Sequence, residues 1–181
     1  MNKIDRARML IASLLLGLTL SATYSTVATA QQAPNPIKQS RTSAISERQI
    51  RAILNAMTAA AEQKDVDGIM KYMAPNITIK LTIRLGTGSQ QRSLTREQYR
   101  QSLQRGFETA ERRSGKYTNL KIQIAPNGQT ATVAYTLVEE ATLKRQLGTF
   151  VSTSQVTVKF ERIKGQLLET AVMSDSTIAL K

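Results

Sequence analysis

The sequence predicts an α+β domain with the element order ααβαββββ. Three observations predict it. Ser46/Gln49 and Thr95/Gln98 are capping boxes, and each precedes an apolar stripe at helical spacing. Residues 77–85, ITIKLTIRL, alternate apolar and polar with strict period two, which marks a strand with one buried face. After Lys116, four more segments alternate in the same way between turn residues. Helices that precede an antiparallel meander are the pattern of α+β, not of a doubly wound parallel sheet.

The elements follow in order. Ser46 caps the first helix, Ile45 and Ile50 stand as its hydrophobic staple, and Ile50, Ile53, Leu54, Met57 and Ala61 form its inner stripe. Asp65 caps a short second helix with Val66, Ile69, Met70 and Met73 inward. Pro75 stops it, because the residue before proline disfavours helical geometry. The strand Ile77 to Leu85 ends at Gly86-Thr87-Gly88-Ser89. Thr95 opens the third helix, with Tyr99, Leu103, Phe107 and Ala110 on one face, and Ser114-Gly115 is the expected left-handed stop. In the meander, 117–124 buries Leu120, Ile122 and Ile124, and Pro126-Asn127-Gly128 turns the chain. The next strand, 130–142, alternates on Ala131, Val133, Tyr135 and Leu137. The strand 150–162 alternates on Phe150, Val156, Val158 and Phe160. The last, 166–178, carries Leu168, Val172 and Ile178 in one phase.

Residues 1–30 have the three-part form of a secretory signal peptide. Lys3, Arg6 and Arg8 precede the uncharged run Met9 to Leu20, and Ala28-Thr29-Ala30 predicts cleavage after Ala30. Residues 31–44 hold two prolines and mostly polar side chains and read as a disordered linker; the domain covers 45–181. The expected location is therefore the periplasm or the outside of a bacterial cell.

Composition excludes several chemistries. The chain has no cysteine and no histidine, which removes disulfide frameworks, Cys/His zinc sites, thiol nucleophiles and every histidine-based dyad or triad. No acidic cluster has calcium-loop spacing, and no Walker lysine follows Gly86-Thr87-Gly88. No cofactor or metal is expected. The net charge is +12. Such a charge favours anionic partners such as a phospholipid surface. With no tryptophan and eight aromatic residues, the chain offers few stacking platforms for bases, so nucleic acid is not an expected partner.

Over about residues 46–178 the chain resembles the nuclear transport factor two-like, or SnoaL-like, superfamily. The resemblance rests on AILNAMTAAAEQKDVDGIMKYMAPNITI, on SLTREQYRQSLQRGF, and on the meander ending in LLETAVMSDSTI. It implies three N-terminal helices packed in the concave face of a curved, mostly antiparallel sheet, a cone-shaped α+β barrel with an internal pocket. It also implies a homodimer through the outer sheet face. Where the family often carries an acid after the proline, this chain has Asn76; at the phases where enzymatic members carry His or Asp, it has Val172 and Ser174. The resemblance therefore implies an exported, non-catalytic domain that binds a small apolar or anionic ligand or assembles through its sheet.

Candidate site residues come from the inward phases. Tyr72, Tyr99 and Tyr135 lie beside apolar stripes and can offer a phenol to a ligand, or can simply be core tyrosines. Ser152, Ser154 and Ser174 share phases with core residues, and buried hydroxyls must find partners. One alternative is a lyase or isomerase built on Tyr135 with Glu139 or Asp175, and another is a basic accessory protein that meets the anionic envelope surface through its charge. Glu139 shares the inward phase of Tyr135, whereas Glu140 must face the other way. Asp65 and Asp67 read as helix-capping residues.

Overall fold

The computed structural model describes residues 44–144 and 148–181. The expected signal peptide, 1–30, and residues 31–43 of the expected linker lie outside the described residues. Helix α1 runs Glu47–Glu62, and both halves of its capping box form: Gln49 N–H donates to Ser46 Oγ and Ser46 N–H to Gln49 Oε1. Ile45 and Ile50 are both buried. Asp65 caps α2, Val66–Met70, through the Gly68 N–H at 2.9 Å. Thr95 and Gln98 form the second capping box at the start of α3, Arg96–Thr109.

The strands are β1 Met73–Leu85, β2 Gly88–Leu94, β3 Ala110–Ile124, β4 Thr130–Leu143, β5 Thr149–Ile163 and β6 Gln166–Leu180. They form one six-stranded sheet in the order β2-β1-β6-β5-β4-β3. All pairs are antiparallel except β1 with β6. The parallel pair follows from the topology: β6 closes the meander by returning beside β1, at the far end of the sequence.

Three expectations are corrected here. The sheet is open: β2 and β3 are its two edges and do not pair, so no barrel or cone closes. The third helix is not N-terminal, because two strands precede it. The additional strand, β2, escapes the sequence pattern because GSQQRSL is almost entirely polar and largely exposed; it is an edge strand held by backbone bonds to β1. Two boundaries also move. β1 starts at Met73 and carries Pro75 where its ladder to β6 shifts register. α3 ends at Thr109, and Ser114-Gly115 lie inside β3 in extended backbone.

Side chains of the inner sheet face and the helices meet in two continuous clusters. Ile50, Ile53 and Leu54 of α1 pack on Val133, Val156, Val158 and Phe160. Ala60, Ile69 and Met70 pack with Ile77, Ile79, Leu103 and Phe107. The Asn127-Gly128 turn forms as expected, with Gly128 at φ 65° and its carbonyl accepting the Ile45 N–H at 2.8 Å. A Cβ at Gly128 would stand 2.7 Å from that of Ala44, so the turn also seats the start of the domain.

Within the meander, three extra residues interrupt the period of two. β3 gains one residue against β4 between Ala110 and Arg112, and another between Thr118 and Lys121, where Asn119 takes φ 55°. β6 gains one against β5: Lys159 faces Ala171 but Phe160 faces Glu169, so Thr170 is the insertion. The phase of Tyr117 is thereby reversed from the expected outer face. It packs on the core, donates to Asn55 Oδ1, and meets Tyr135 edge to face at 6.0 Å. Ile124, expected inside, is 36% exposed.

Phe160 is fully buried at the centre of the first cluster. Phe160→Ala is expected to cost about 3–5 kcal/mol by urea denaturation, through lost transfer energy and the cavity it leaves. Thr153→Ala, on the exposed outer phase, is expected to stay within about 0.5 kcal/mol.

Candidate functional site

The inner face of the sheet does not fill completely. A cavity of about 330 Å³ remains between α3 and strands β1, β3, β4, β5 and β6. Cross-strand register builds its wall in rows. Tyr135 stands beside Val156, Ser174 and Leu81; the next row is Leu137, Ser154, Ser176 and Ile83; the next begins Glu139, Ser152, Ile178. Helix α3 covers them with Tyr99, Leu103 and Gly106. The wall is mainly apolar, and its polar groups converge from several elements, which is the usual constitution of a small-molecule site.

The serines satisfy one another. Ser154 and Ser176 hydroxyls lie 2.8 Å apart, and Ser174 and Ser176 lie 3.1 Å apart. At one flank Arg113 meets Glu139, with Nη2 2.5 Å and Nε 3.2 Å from the same carboxylate oxygen. The Arg113 guanidinium also stacks over the Phe107 ring at 5.3 Å.

Glu169 is the most unusual residue of the site. It is 2% exposed and lines the cavity, and among the described residues no cation lies within ion-pair distance of it. Its N–H donates to the Tyr72 carbonyl at 2.8 Å. Burial away from water disfavours the charged carboxylate and raises its pKa from 4.5 to about 8. The same burial, with the charges of Glu169 and Glu139 nearby, pushes the Tyr99 phenol up to about 12. Tyr135 is raised further, by burial first and then by Glu169. At neutral pH the site thus presents a protonated carboxyl and two phenols in apolar surroundings.

Of the residues singled out in the sequence, Tyr99, Tyr135, Glu139, Ser152, Ser154 and Ser174 line this cavity. Tyr72 does not. It sits between α2 and β1, packed on the core, with the Lys71 ammonium 5.0 Å from its ring centre. Asp175 does not either: it lies on the outward phase of β6, in an ion pair with Arg84 on the opposite face of the sheet. Asp175 and Tyr135 therefore cannot act on one molecule. Asp65 and Asp67 cap and flank α2, and Asp67 also pairs with Arg100. Sequence reasoning missed Glu169 and Arg113. Counting back by twos from Val172 puts Thr170 and Leu168 inward and Glu169 outward. The adjacent apolar pair Leu167-Leu168, both buried, is the trace that the alternation breaks there. Among the described residues no group of three His, Cys, Asp or Glu side chains can hold a metal ion.

The raised pKa of Glu169 makes stability depend on pH. Between about 4.5 and 8 the folded chain holds a proton that the unfolded chain has released. The contribution is complete below pH 4.5, falls as pH rises through this window, and levels off above 8, with a loss on the order of 5 kcal/mol. Urea midpoints of the wild type are expected to fall between pH 5 and pH 9 by more than those of Glu169→Gln. Parallel curves for the two proteins would contradict the buried acid.

Residues 50–167 match the model of the SnoaL-like domain. No curated protein matches the chain in sequence. Among solved structures the fold resembles a proposed scytalone dehydratase from Novosphingobium aromaticivorans, at 10% identity and TM-score 0.63, over 74% of this chain and 86% of that one. It also resembles an NTF2-like protein of unknown function from Pseudomonas putida KT2440, at 18% identity and TM-score 0.55, over 71% and 84%. A third is a hexachlorocyclohexane dehydrochlorinase, LinA type 2, at 11% identity and TM-score 0.52, over 70% and 84%. At these identities the likeness is one of fold. The family match spans α1 to the start of β6, and the chain belongs to the SnoaL-like domain family.

Proposed function

We propose that this protein is an exported small-molecule-binding domain whose ligand occupies the cavity between α3 and the sheet. The carrying observation is Glu169, a carboxyl 2% exposed on the wall of a mainly apolar cavity of about 330 Å³. A buried acid costs stability unless it is used, and such groups cluster at functional sites. Tyr99, Tyr135 and the serines provide hydroxyls that fix the orientation of a ligand, while Leu81, Leu137 and Val172 cover its apolar body. Export rests on the signal-peptide form of residues 1–30.

A second reading has its own observation. A carboxyl that titrates near pH 8 can give and take a proton at physiological pH, which is the requirement for general acid–base catalysis. The fold neighbours include proteins named as a dehydratase and a dehydrochlorinase, and this supports a lyase or isomerase reading at the level of fold alone. In it Glu169 takes the place expected for Asp175.

Two measurements separate the readings. Native mass spectrometry with a panel of small alicyclic ketones and alcohols is expected to give one bound molecule per chain. Ser154→Phe, which fills the cavity, is expected to abolish it, and Asp175→Asn, on the other face, to leave it unchanged. Binding that survives Ser154→Phe would place the ligand elsewhere. For the enzymatic reading, deuterium exchange into cyclohexanone is expected to fall at least about 100-fold in Glu169→Gln; equal exchange in both proteins would remove it.

A further inference from the structure

The charges inside the cavity differ in sign from those of the protein around it. The chain carries a net charge of +12. Yet among the described residues lining the cavity stand two carboxyls, Glu139 and Glu169, and one cation, Arg113. That cation is committed. It holds one Glu139 oxygen through two N–H groups and lies on Phe107. An anionic ligand would have to take Arg113 from Glu139 and leave Glu139, only about a quarter exposed, without its partner, which is costly. A cationic ligand meets no such conflict. Its N–H groups find the carboxylate of Glu169, and the hydroxyl oxygens of Tyr99 and Tyr135 stand beside it as acceptors.

We infer that the cavity takes a small apolar amine in its protonated form, with the ammonium against Glu169, and rejects carboxylates of the same shape. This rests on the small-molecule reading above and names the ligand class for it. Above its pKa the folded chain already bears the desolvation of the Glu169 carboxylate, so there the incoming charge adds only its own desolvation and gains a partner in place.

Two phenols and two register partners stand around Glu169. Tyr99 approaches from α3 and Tyr135 from β4, and Phe160 of β5 is its register partner; Glu139 and Arg113 lie beyond the two phenols, toward the other end of the cavity. Its other register partner is Met73 of β1, whose carbonyl accepts from Arg96 Nε at 3.3 Å. The Arg96 guanidinium is also held by the Met70 carbonyl, at 2.7 Å. Burial pushes the two phenols well above this range, whereas it brings Glu169 to about 8, between pH 6 and 9. An ammonium must therefore displace the Glu169 proton at neutral pH, and its binding must strengthen as pH rises.

The test uses three probes of one shape: cyclohexylmethylamine, cyclohexylmethanol and cyclohexanecarboxylate. Each is titrated calorimetrically into the purified chain at pH 6, 7, 8 and 9. The amine is expected to tighten by about ten-fold per unit from pH 6 toward 8 and then level off, while the alcohol stays constant. At pH 7 its binding is expected to release close to one proton, read from the heats in buffers of different ionisation enthalpy. At pH 9 the amine is expected to bind at least ten-fold tighter than the alcohol, and the carboxylate more weakly than either. In Glu169→Gln the pH rise is expected to vanish. Tyr135→Phe keeps Glu169 and is expected to retain the rise. Alcohol binding without preference for the amine at pH 9 would overturn this inference alone, as would a carboxylate that binds as tightly as the amine. A pH rise that survives in Glu169→Gln would overturn it too. Failure of all three probes to bind at any pH would overturn the small-molecule reading with it.

Discussion

A strand shows alternate residues to alternate faces, and the chemistry of this cavity depends on places where an added residue interrupts that rule. Without Thr170 as an extra residue in β6, Phe160 would face Thr170 and the Glu169 carboxyl would point to solvent. The insertion turns Glu169 inward and also brings Leu167 into the core beside Phe160 and Val158. In β3 the extra residue near Asn119 lets Tyr117 and Ile122 face the same way, although they are five apart. The one after Ala110 lets both Ala110 and Arg113 face the helices. A bulge thus aims a side chain at a local cost in pairing: here one turns Glu169 into the cavity, one turns Arg113 into it, and the third turns Tyr117 onto the core beside Tyr135.

The rest of the fold holds that arrangement in place. α1 covers β4 and β5 with Ile50, Ile53 and Leu54, and α3 covers the cavity with Tyr99 and Leu103. Both helices start at capping boxes, so their register along the sheet is set by local hydrogen bonds as well as by packing. The apolar clusters on either side exclude water from Glu169, and this exclusion alone raises its pKa. The Arg113–Glu139 pair keeps a second carboxylate neutralised at the flank, so the free acidic capacity of the site resides in Glu169.

Much of this was legible in the sequence because it is written in local patterns. Both capping boxes, the Asp65 cap, the Asn127-Gly128 turn and the alternating strands follow from residue type and spacing. Four of the proposed site residues, Tyr135, Glu139, Ser152 and Ser154, line the cavity because β4 and β5 pair without a shift, while Tyr99 comes from the inner stripe of α3 and Ser174 from β6 beyond its insertion. What failed depends on long-range register. β2 has no apolar alternation, since its ladder to β1 is made of backbone groups and both its faces are polar. Closure into a barrel depends on the two edges meeting, which no local pattern encodes, and β2 and β3 stay apart. Asp175 was misplaced because its phase was joined to a site on the other face, and Glu169 was hidden because an insertion is invisible to a count by twos.

The central claim is that Glu169 is a protonated acid inside a ligand-sized cavity at neutral pH. Infrared difference spectroscopy of the carboxyl C=O stretch, wild type against Glu169→Gln, tests it directly. The account predicts a protonated carboxyl band at pH 7, absent from the variant, that disappears with a midpoint near pH 8. A wild-type spectrum with no such band at pH 7, its Glu169 carboxyl titrating near the ordinary value of 4.5, would contradict it.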